Sequence, residues 1–333
     1  MTIKDLARET GYSLGTISRV LNNQPNVSEK ARKTILDCVK RSGFQLNTNA
    51  KHLKQQYGKG ILAVVTGTSN ELFAHMIEHI QGELAQTSYN LTVEYVEETE
   101  DAVQRALQRS RELKPQGLLF LGGDSHFFEK SFEGIRLPSV LLTSDASELD
   151  FPNLSSVTTD DAEAACCAME HLFTAGHREI GIISGDLNCS GPGRLRYEGC
   201  CRAFRKQGLS LPQERCVQTR YSFSHGYAAA LKLLGTGKLT AIFAMSDVMA
   251  IGAIRALQDQ GLRVPEDVSV FGYDGLELGE YYVPKLTTVR QHADLLAQRG
   301  VRLLLSAIEN HSPACHEKVA FELAIKASVA RKD

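Results

Sequence analysis

From residue 61 onward, short apolar runs alternate with longer stretches in which apolar positions recur every three or four residues. Ile61–Thr66, Leu91–Glu97, Gly117–Leu121 and Ser139–Thr143 read as strands, with helices over Leu72–Gln86 and Ala102–Leu113 between the first three. A second series repeats the pattern. Its strands are Ser156–Thr158, Glu179–Ser184, Val217–Thr219, Thr240–Ala244 and Val268–Tyr273. Its helices are Ala162–Ala175, Leu195–Gln207, His225–Leu234 and Asp247–Gln260. Apolar strands separated by helices predict parallel sheets covered on both faces. There are too many strands for one modest sheet, and they fall into two similar halves, so two α/β lobes with a cleft between them are expected. Residues 286–333 add a strand, a helix and one last strand, Val319–Leu323, expected to cross back to the first lobe.

The first 44 residues carry a purely helical pattern. Thr2 caps a helix whose apolar side is Ile3, Leu6 and Ala7, and Gly11 ends it. Ser13 caps a second helix, Leu14 to Asn22, with Ile17, Val20 and Leu21 turned inward. Ser28 caps a third, with Glu29 in its first turn, Ala31, Ile35, Cys38 and Val39 buried, and Gly43 closing it. The spacing Ala7, Gly11, Ile17 supplies what a helix-turn-helix requires: a small residue at the helix crossing, a turn residue, and a branched apolar residue seating the second helix. The outward face of that helix then shows Leu14, Gly15, Thr16, Ser18 and Arg19, small or polar groups that can approach base edges and phosphates. Residues 44–60 are polar and basic, with Leu53 the main apolar exception after Leu46.

Charge sharpens this division. Residues 1–60 hold 11 Lys/Arg against four Asp/Glu, a surplus of +7, while the whole chain of 333 residues has a net charge of −2. A basic head on an acidic body points to a polyanionic partner for the head. Hydrophobic residues at 43% and charged residues at 23% fit a folded globular chain. No apolar run reaches the roughly 18 residues of a membrane span, and the first residues lack a signal-peptide core, so neither is expected. The eight cysteines form no Cys-x-x-Cys pair; the doublets Cys166-Cys167 and Cys200-Cys201 suit small buried hydrophobes in a reduced cytoplasm.

The segment IKDLARETGYSLGTISRVLNNQPNVSEKAR resembles the head of the lactose-repressor (LacI/GalR) family of bacterial transcription regulators, most specifically in Thr16-Ile17-Ser18-Arg19-Val20-Leu21-Asn22. The resemblance places Leu14 and Gly15 at base-reading positions and Thr16, Ser18, Arg19 and Asn22 at phosphate or base contacts, with Thr2 and Ser13 beside them. It implies that residues 45–59 form a hinge that folds on DNA, with Asn47 and Ala50 matching the pattern. Leu53 would wedge into a central minor-groove step. Leu46 stands where a proline is usual.

The body is similar to the same family's effector domain in AGHREIGIISG, RLRYEG, AIFAMSDVMAIGAIRAL and VPEDVSVFGYDGLELGEYYVPKLTTVRQ. That likeness implies a type I periplasmic-binding-protein fold. It matches Arg196, Asp247 and Asp274 to effector contacts, Ser246 to a polar contact, Tyr221 to a stacking aromatic and Phe73 to a hydrophobic wall. Asn70, Asp124 and Asp160 join them because ligands of such sheets bind in loops at the carboxyl ends of strands. Carboxylates and Arg forks beside flat rings suit a polyhydroxylated ligand. Glu71 replaces a proline usual after Ser-Asn, and Gly275 a second Asp.

The expected architecture is therefore an all-α helix-turn-helix head over residues 1–44, a hinge over 45–59, and a two-lobed α/β effector and dimerisation domain over 60–333. Within the last, the lobes span about 60–157 and 158–285 and the crossover 286–333. The expected function is a cytoplasmic homodimeric repressor that binds pseudo-palindromic operator DNA and responds to a small ligand, with no cofactor, metal or catalysis. A sugar or an acidic or phosphorylated derivative fits the residues, a nucleobase remains open, and so does the choice between inducer and corepressor. Two rival readings are weighed. His75-Met76-Ile77-Glu78-His79 fits an inverted zinc-protease motif, but Met76 and Ile77 read as core and no third ligand is evident. A plain uptake receptor would suit the body and leave the basic head unexplained.

Overall fold

A computed structural model describes residues 3–21, 27–42, 59–67, 70–123, 125–187 and 191–332. The expectations for Thr2, Asn22, Gly43, Asp124 and the hinge residues Asn47, Ala50 and Leu53 lie outside the described residues. The chain divides into two compact units, residues 1–57 and 58–333.

The described part of the first unit holds α1 (Ile3–Thr10), α2 (Leu14–Leu21) and α3 (Glu29–Ser42). Gly11 takes φ +73° and donates its N–H to Ala7 O at 3.0 Å, so the chain leaves α1 through a conformation that a Cβ would strain. Ser13 Oγ accepts the Thr16 N–H at 3.2 Å and Ser28 Oγ accepts the Ala31 N–H at 3.3 Å, the two expected caps. Leu6, Ile17, Val20, Ile35 and Cys38 form the core, with Ala7, Leu21 and Val39 partly buried against it.

In the second unit β1 (Gly60–Thr66), α4 (Glu71–Leu84), β2 (Asn90–Val96), α5 (Ala102–Leu113), β3 (Gly117–Leu121), α6 (Ser125–Ser131), β4 (Ser139–Leu142) and β5 (Leu154–Thr159) build the first lobe. Their strands lie in the order β5-β4-β3-β1-β2, all parallel. The apolar run of β1 is buried on both sides: Ile61, Ala63 and Val65 join Met76 and Ile80 of α4, while Leu62 and Val64 face Val103 of α5 and Phe128 of α6. Met76 and Ile77 are thus core residues of α4, between His75 and the exposed His79.

The second lobe follows with α7 (Asp161–Thr174), β6 (Ile180–Ser184), α8 (Gly191–Lys206), β7 (Cys216–Gln218), α9 (Phe223–Leu234), β8 (Ala241–Ala244), α10 (Asp247–Asp259), β9 (Ser269–Asp274), the short α11 (Leu278–Tyr281) and β10 (Thr287–Gln291). Its strands run β10-β9-β8-β6-β7, again parallel. Cys166 and Cys200 are buried in this lobe's core, and their doublet partners Cys167 and Cys201 are half-exposed.

The chain then returns. α12 (Ala293–Asn310) places Leu296, Ala297, Val301 and Leu304 in the core of the first lobe. Three expectations fail: Ser156–Thr158, read as opening the second series, is part of β5 in the first lobe; the strand at the start of residues 286–333 is β10 of the second sheet rather than part of the return; and Val319–Leu323 is not one final strand. The segment is two strands, β11 (His316–Val319) and β12 (Phe321–Ala324), separated at Ala320. β11 pairs parallel with β5 in the first sheet, and β12 pairs antiparallel with β10 in the second. A one-residue break between four-residue strands leaves no mark on the hydrophobic pattern; only pairing reveals it. The chain passes between lobes after Thr159, after Gln291 and after Val319, three adjacent crossings that form the joint.

Candidate nucleic-acid interface and ligand cleft

On the head, Ser13, Leu14, Gly15 and Arg19 are exposed and Thr16 is half-exposed, while Ile17 and Val20 on the opposite side are buried. Ser18 lies within α2 between them. Leu14, 47% exposed, adds an apolar side chain to this outward face. A Cβ on Gly15 would meet only Ser13 Oγ at 3.8 Å, so the helix backbone is open to close approach there.

Between the two lobes lies a cleft of about 710 Å³. Six of the expected effector residues line it: Asn70, Phe73, Arg196, Tyr221, Ser246 and Asp274. Asn70 and Ser246 do so while capping helices, accepting the Phe73 and Met249 N–H groups at 3.4 and 3.3 Å. Helix N-termini thereby face the cleft, where their partial positive charge favours electron-rich ligand atoms.

Asp160 and Asp247 do not line the cleft. Asp160 caps α7 through Glu163 N–H at 3.0 Å and pairs with Lys318 Nζ at 3.0 Å. Partial burial opposes its charge, but these two bonds hold its carboxyl below the usual range. Asp247 is wholly buried behind the wall, where Oδ2 accepts Leu276 N–H at 2.7 Å and Oδ1 accepts the Thr288 hydroxyl at 2.6 Å. It ties α10 to the β9–α11 turn and to β10. Its sequence position beside Ser246 gave no sign of the difference, because one step around a helix start turns a side chain from cleft to core.

The floor of the cleft is one polar assembly. Arg196 Nε donates to Asp161 Oδ1 at 2.7 Å and Nη1 to Met245 O at 2.7 Å, and its guanidinium lies 3.7 Å from the centroid of the Tyr273 ring. Tyr273 OH also donates to Asp161, at 2.8 Å. Asp274 Oδ1 lies 3.9 Å from Arg196 Nη1 and accepts Gln291 Nε2 at 2.9 Å. Burial pushes the Asp274 carboxyl up to about 6, against the pull of Arg196 and Gln291. Burial also raises Asp161 and Asp247, while the neighbouring carboxylates help keep Arg196 protonated. Gln291 Oε1 in turn accepts the Thr159 hydroxyl at 3.1 Å, linking the floor to two of the three crossings.

Backbone strain marks the same place. Among described non-glycine residues with positive φ, Lys114 and His311 end helices and Asp150 lies in a loop. The other two, Thr143 (φ +69°) and Asp274 (φ +117°), line the cleft from opposite lobes. Such conformations cost about 1–3 kcal/mol each and persist where surrounding structure holds them, commonly at binding sites. The sequence reading missed Thr66, Phe127 and Ser144 on the first-lobe wall and Arg220, His225 and Gln291 on the other side. The adjacent pair Arg220-Tyr221 was the only local signal available.

Head and cleft together define a DNA-binding regulator that answers to a small ligand. Residues 2–47 match bacterial regulatory proteins of the lacI family, and residues 169–329 match a periplasmic binding protein-like domain. The chain is 33% identical to the HTH-type transcriptional regulator MalR of Clostridium butyricum, over 97% of each chain. It is 33% identical to a ribose operon repressor of Haemophilus influenzae, over 93% of this chain and 92% of the other. Its structure is similar to that of the Lac repressor bound to ONPG in the repressed state, with a TM-score of 0.82, 25% identity and 99% of both chains covered. The chain belongs to the lacI family of bacterial transcription regulators.

Proposed function

We propose that the chain represses transcription as a homodimer, each head laying the exposed face of α2 in the major groove of half a pseudo-palindrome, and that a carbohydrate in the cleft switches its operator affinity. The observation that carries this reading is the combination, on one chain, of the Ser13–Arg19 face and a cleft whose floor fixes Arg196 and Asp274 between two jointed lobes. Leu14 and Gly15 read bases; Ser13, Thr16, Ser18 and Arg19 hold phosphates and bases, and Thr2 and Asn22 add to these contacts. Asn47, Ala50 and Leu53 belong to a segment that orders on DNA. In the cleft, Asp274 accepts ligand hydroxyls, Tyr221 and Phe73 cover apolar ring faces, and Asn70, Ser246 and Asp124 add polar contacts. Asp160 and Asp247 hold the walls.

The Haemophilus relative represses a ribose operon, and a sugar is the ligand this polar floor and aromatic cover suit. A ligand biases the switch only through its different affinity for the two lobe arrangements. The chemistry needs no catalytic step, and a DNA target places the protein in the cytoplasm.

The test is gel-shift titration of promoter fragments with and without a sugar panel, repeated at several salt concentrations. Sequence-selective binding is expected, altered by at least one sugar, with a log–log salt slope of about −0.9 per neutralised phosphate. Absence of duplex binding at low salt, or a flat salt profile, overturns the reading.

A further inference from the structure

We propose that Thr66 and Ser144 select the ligand by an uncharged hydrogen-bonding edge presented to the first lobe. The inference rests on the cleft being the effector site and adds which wall discriminates. Thr66 ends β1, Gly122-Gly123 follow β3, and Ser144 lies just past β4. Because β1, β3 and β4 are neighbours in the sheet, these three chain ends stand side by side along its carboxyl edge.

Among the described residues, Thr66 Oγ1 and Ser144 Oγ are both buried without a hydrogen-bond partner, and both residues line the cleft. Ser144 is only 6% exposed. Ser110, His177 and Arg202 also have unpartnered buried atoms, and none of them lines the cleft. Strands lie about 4.8 Å apart, so hydroxyls two strands apart are separated by roughly 10 Å and cannot satisfy one another. A buried hydroxyl left unpaired lowers stability, and a ligand that pairs it recovers that loss.

Two glycines without side chains form the step between the two strand ends. Gly122 and Gly123 have φ +70° and +122°. A Cβ on Gly123 would stand 3.8 Å from Thr66 Oγ1 and 3.1 Å from the Phe128 ring, filling the approach to the hydroxyl. A Cβ on Gly122 would stand 2.9 Å from the Phe73 ring. The corner carrying Ser144 is itself strained, since the preceding Thr143 is β-branched at φ +69°. Two buried hydroxyls without a partner among the described residues therefore lie on either side of a glycine step in the cleft wall that also carries Phe73 and Phe127. Hydroxyls both donate and accept, and the acidic Glu98 lines the same cleft and disfavours an anionic edge, so the matching ligand edge carries uncharged hydroxyl or carbonyl groups beside an apolar ring face.

Ser144→Ala and Thr66→Val remove the hydroxyls, and Thr66→Ser retains one. The first readout is melting of the unliganded full-length proteins, where the alanine and valine variants are expected to equal or exceed wild type. A clear fall in either overturns the proposal, since that hydroxyl would then hold the fold together. The second readout is the affinity of full-length protein for ribose, glucose, maltose and cellobiose by titration calorimetry. For a sugar bound by wild type, a loss of roughly 3- to 10-fold per deleted hydroxyl is expected. Thr66→Ser should restore affinity, and operator binding without sugar should be unchanged. Wild-type binding that both deletion variants keep intact overturns this proposal alone. If wild type binds none of the sugars, the carbohydrate reading of the cleft falls, and this proposal with it.

Discussion

Replacing Asp274 by asparagine removes a charge from the cleft floor while keeping the shape and the acceptor used by Gln291 Nε2. The folded carboxyl titrates near 6 against an ordinary 3.8, chiefly because burial penalises its charged form. As pH rises, the unfolded chain releases this proton first, so the contribution of Asp274 to stability is full below about 3.8 and is lost progressively up to about 6. At 1.36 kcal/mol per pKa unit, the ionised carboxylate costs about 3 kcal/mol at pH 8. The same relation gives roughly half of that at pH 5 and under about 1 kcal/mol at pH 4. Asp274→Asn should therefore melt higher than wild type at pH 8 by roughly 6 °C, taking about 2 °C per kcal/mol for a unit of this size. The advantage should fall by about half at pH 5. Calorimetric melting across this pH range, without ligand, reads both quantities. A variant less stable than wild type at pH 8, or an advantage that does not shrink with acid, refutes the account of the floor as a site of penalised charge. The retained price for this carboxylate is reasonable only if it serves the ligand, so the same variant should lose the sugar response while still binding operator.

Arg196→Ala leaves Asp161 buried without its ion partner and should cost about 3–5 kcal/mol in urea unfolding. Arg196→Lys should recover little, because one ammonium cannot bond Asp161 and Met245 O while stacking on Tyr273; a loss under about 1 kcal/mol for either would contradict the assembly drawn here. Ile17→Ala opens a cavity in the small core of the head and should cost about 2–4 kcal/mol. Operator binding should vanish while sugar-induced stabilisation of the body survives; joint loss of both would show that the head and body do not behave as separate units.

Much of the molecule was legible in the residues. The Ala7–Gly11–Ile17 spacing, the Ser13 and Ser28 caps and the inward stripe of α2 are local features, set by bonds spanning three or four residues and by helical period. The strands of both lobes were legible for a related reason: a strand buried on both faces must be apolar throughout, as β1 is. Only its neighbours' pairing split the last strand into β11 and β12, since a change of sheet at Ala320 alters no side-chain chemistry. The cleft shows the same limit. Arg196, Tyr221 and Asp274 were found by likeness, but nothing near them in the chain separates Ser246, which faces the ligand space, from Asp247, which faces the core. Thr66, Gly123 and Ser144 are dozens of residues apart and individually ordinary. They become a wall because sheet order sets β1, β3 and β4 edge to edge, and burial then leaves two hydroxyls with no partner among the described residues. Periodicity fixes which face of an element is apolar, whereas the order in which elements assemble fixes which polar groups meet.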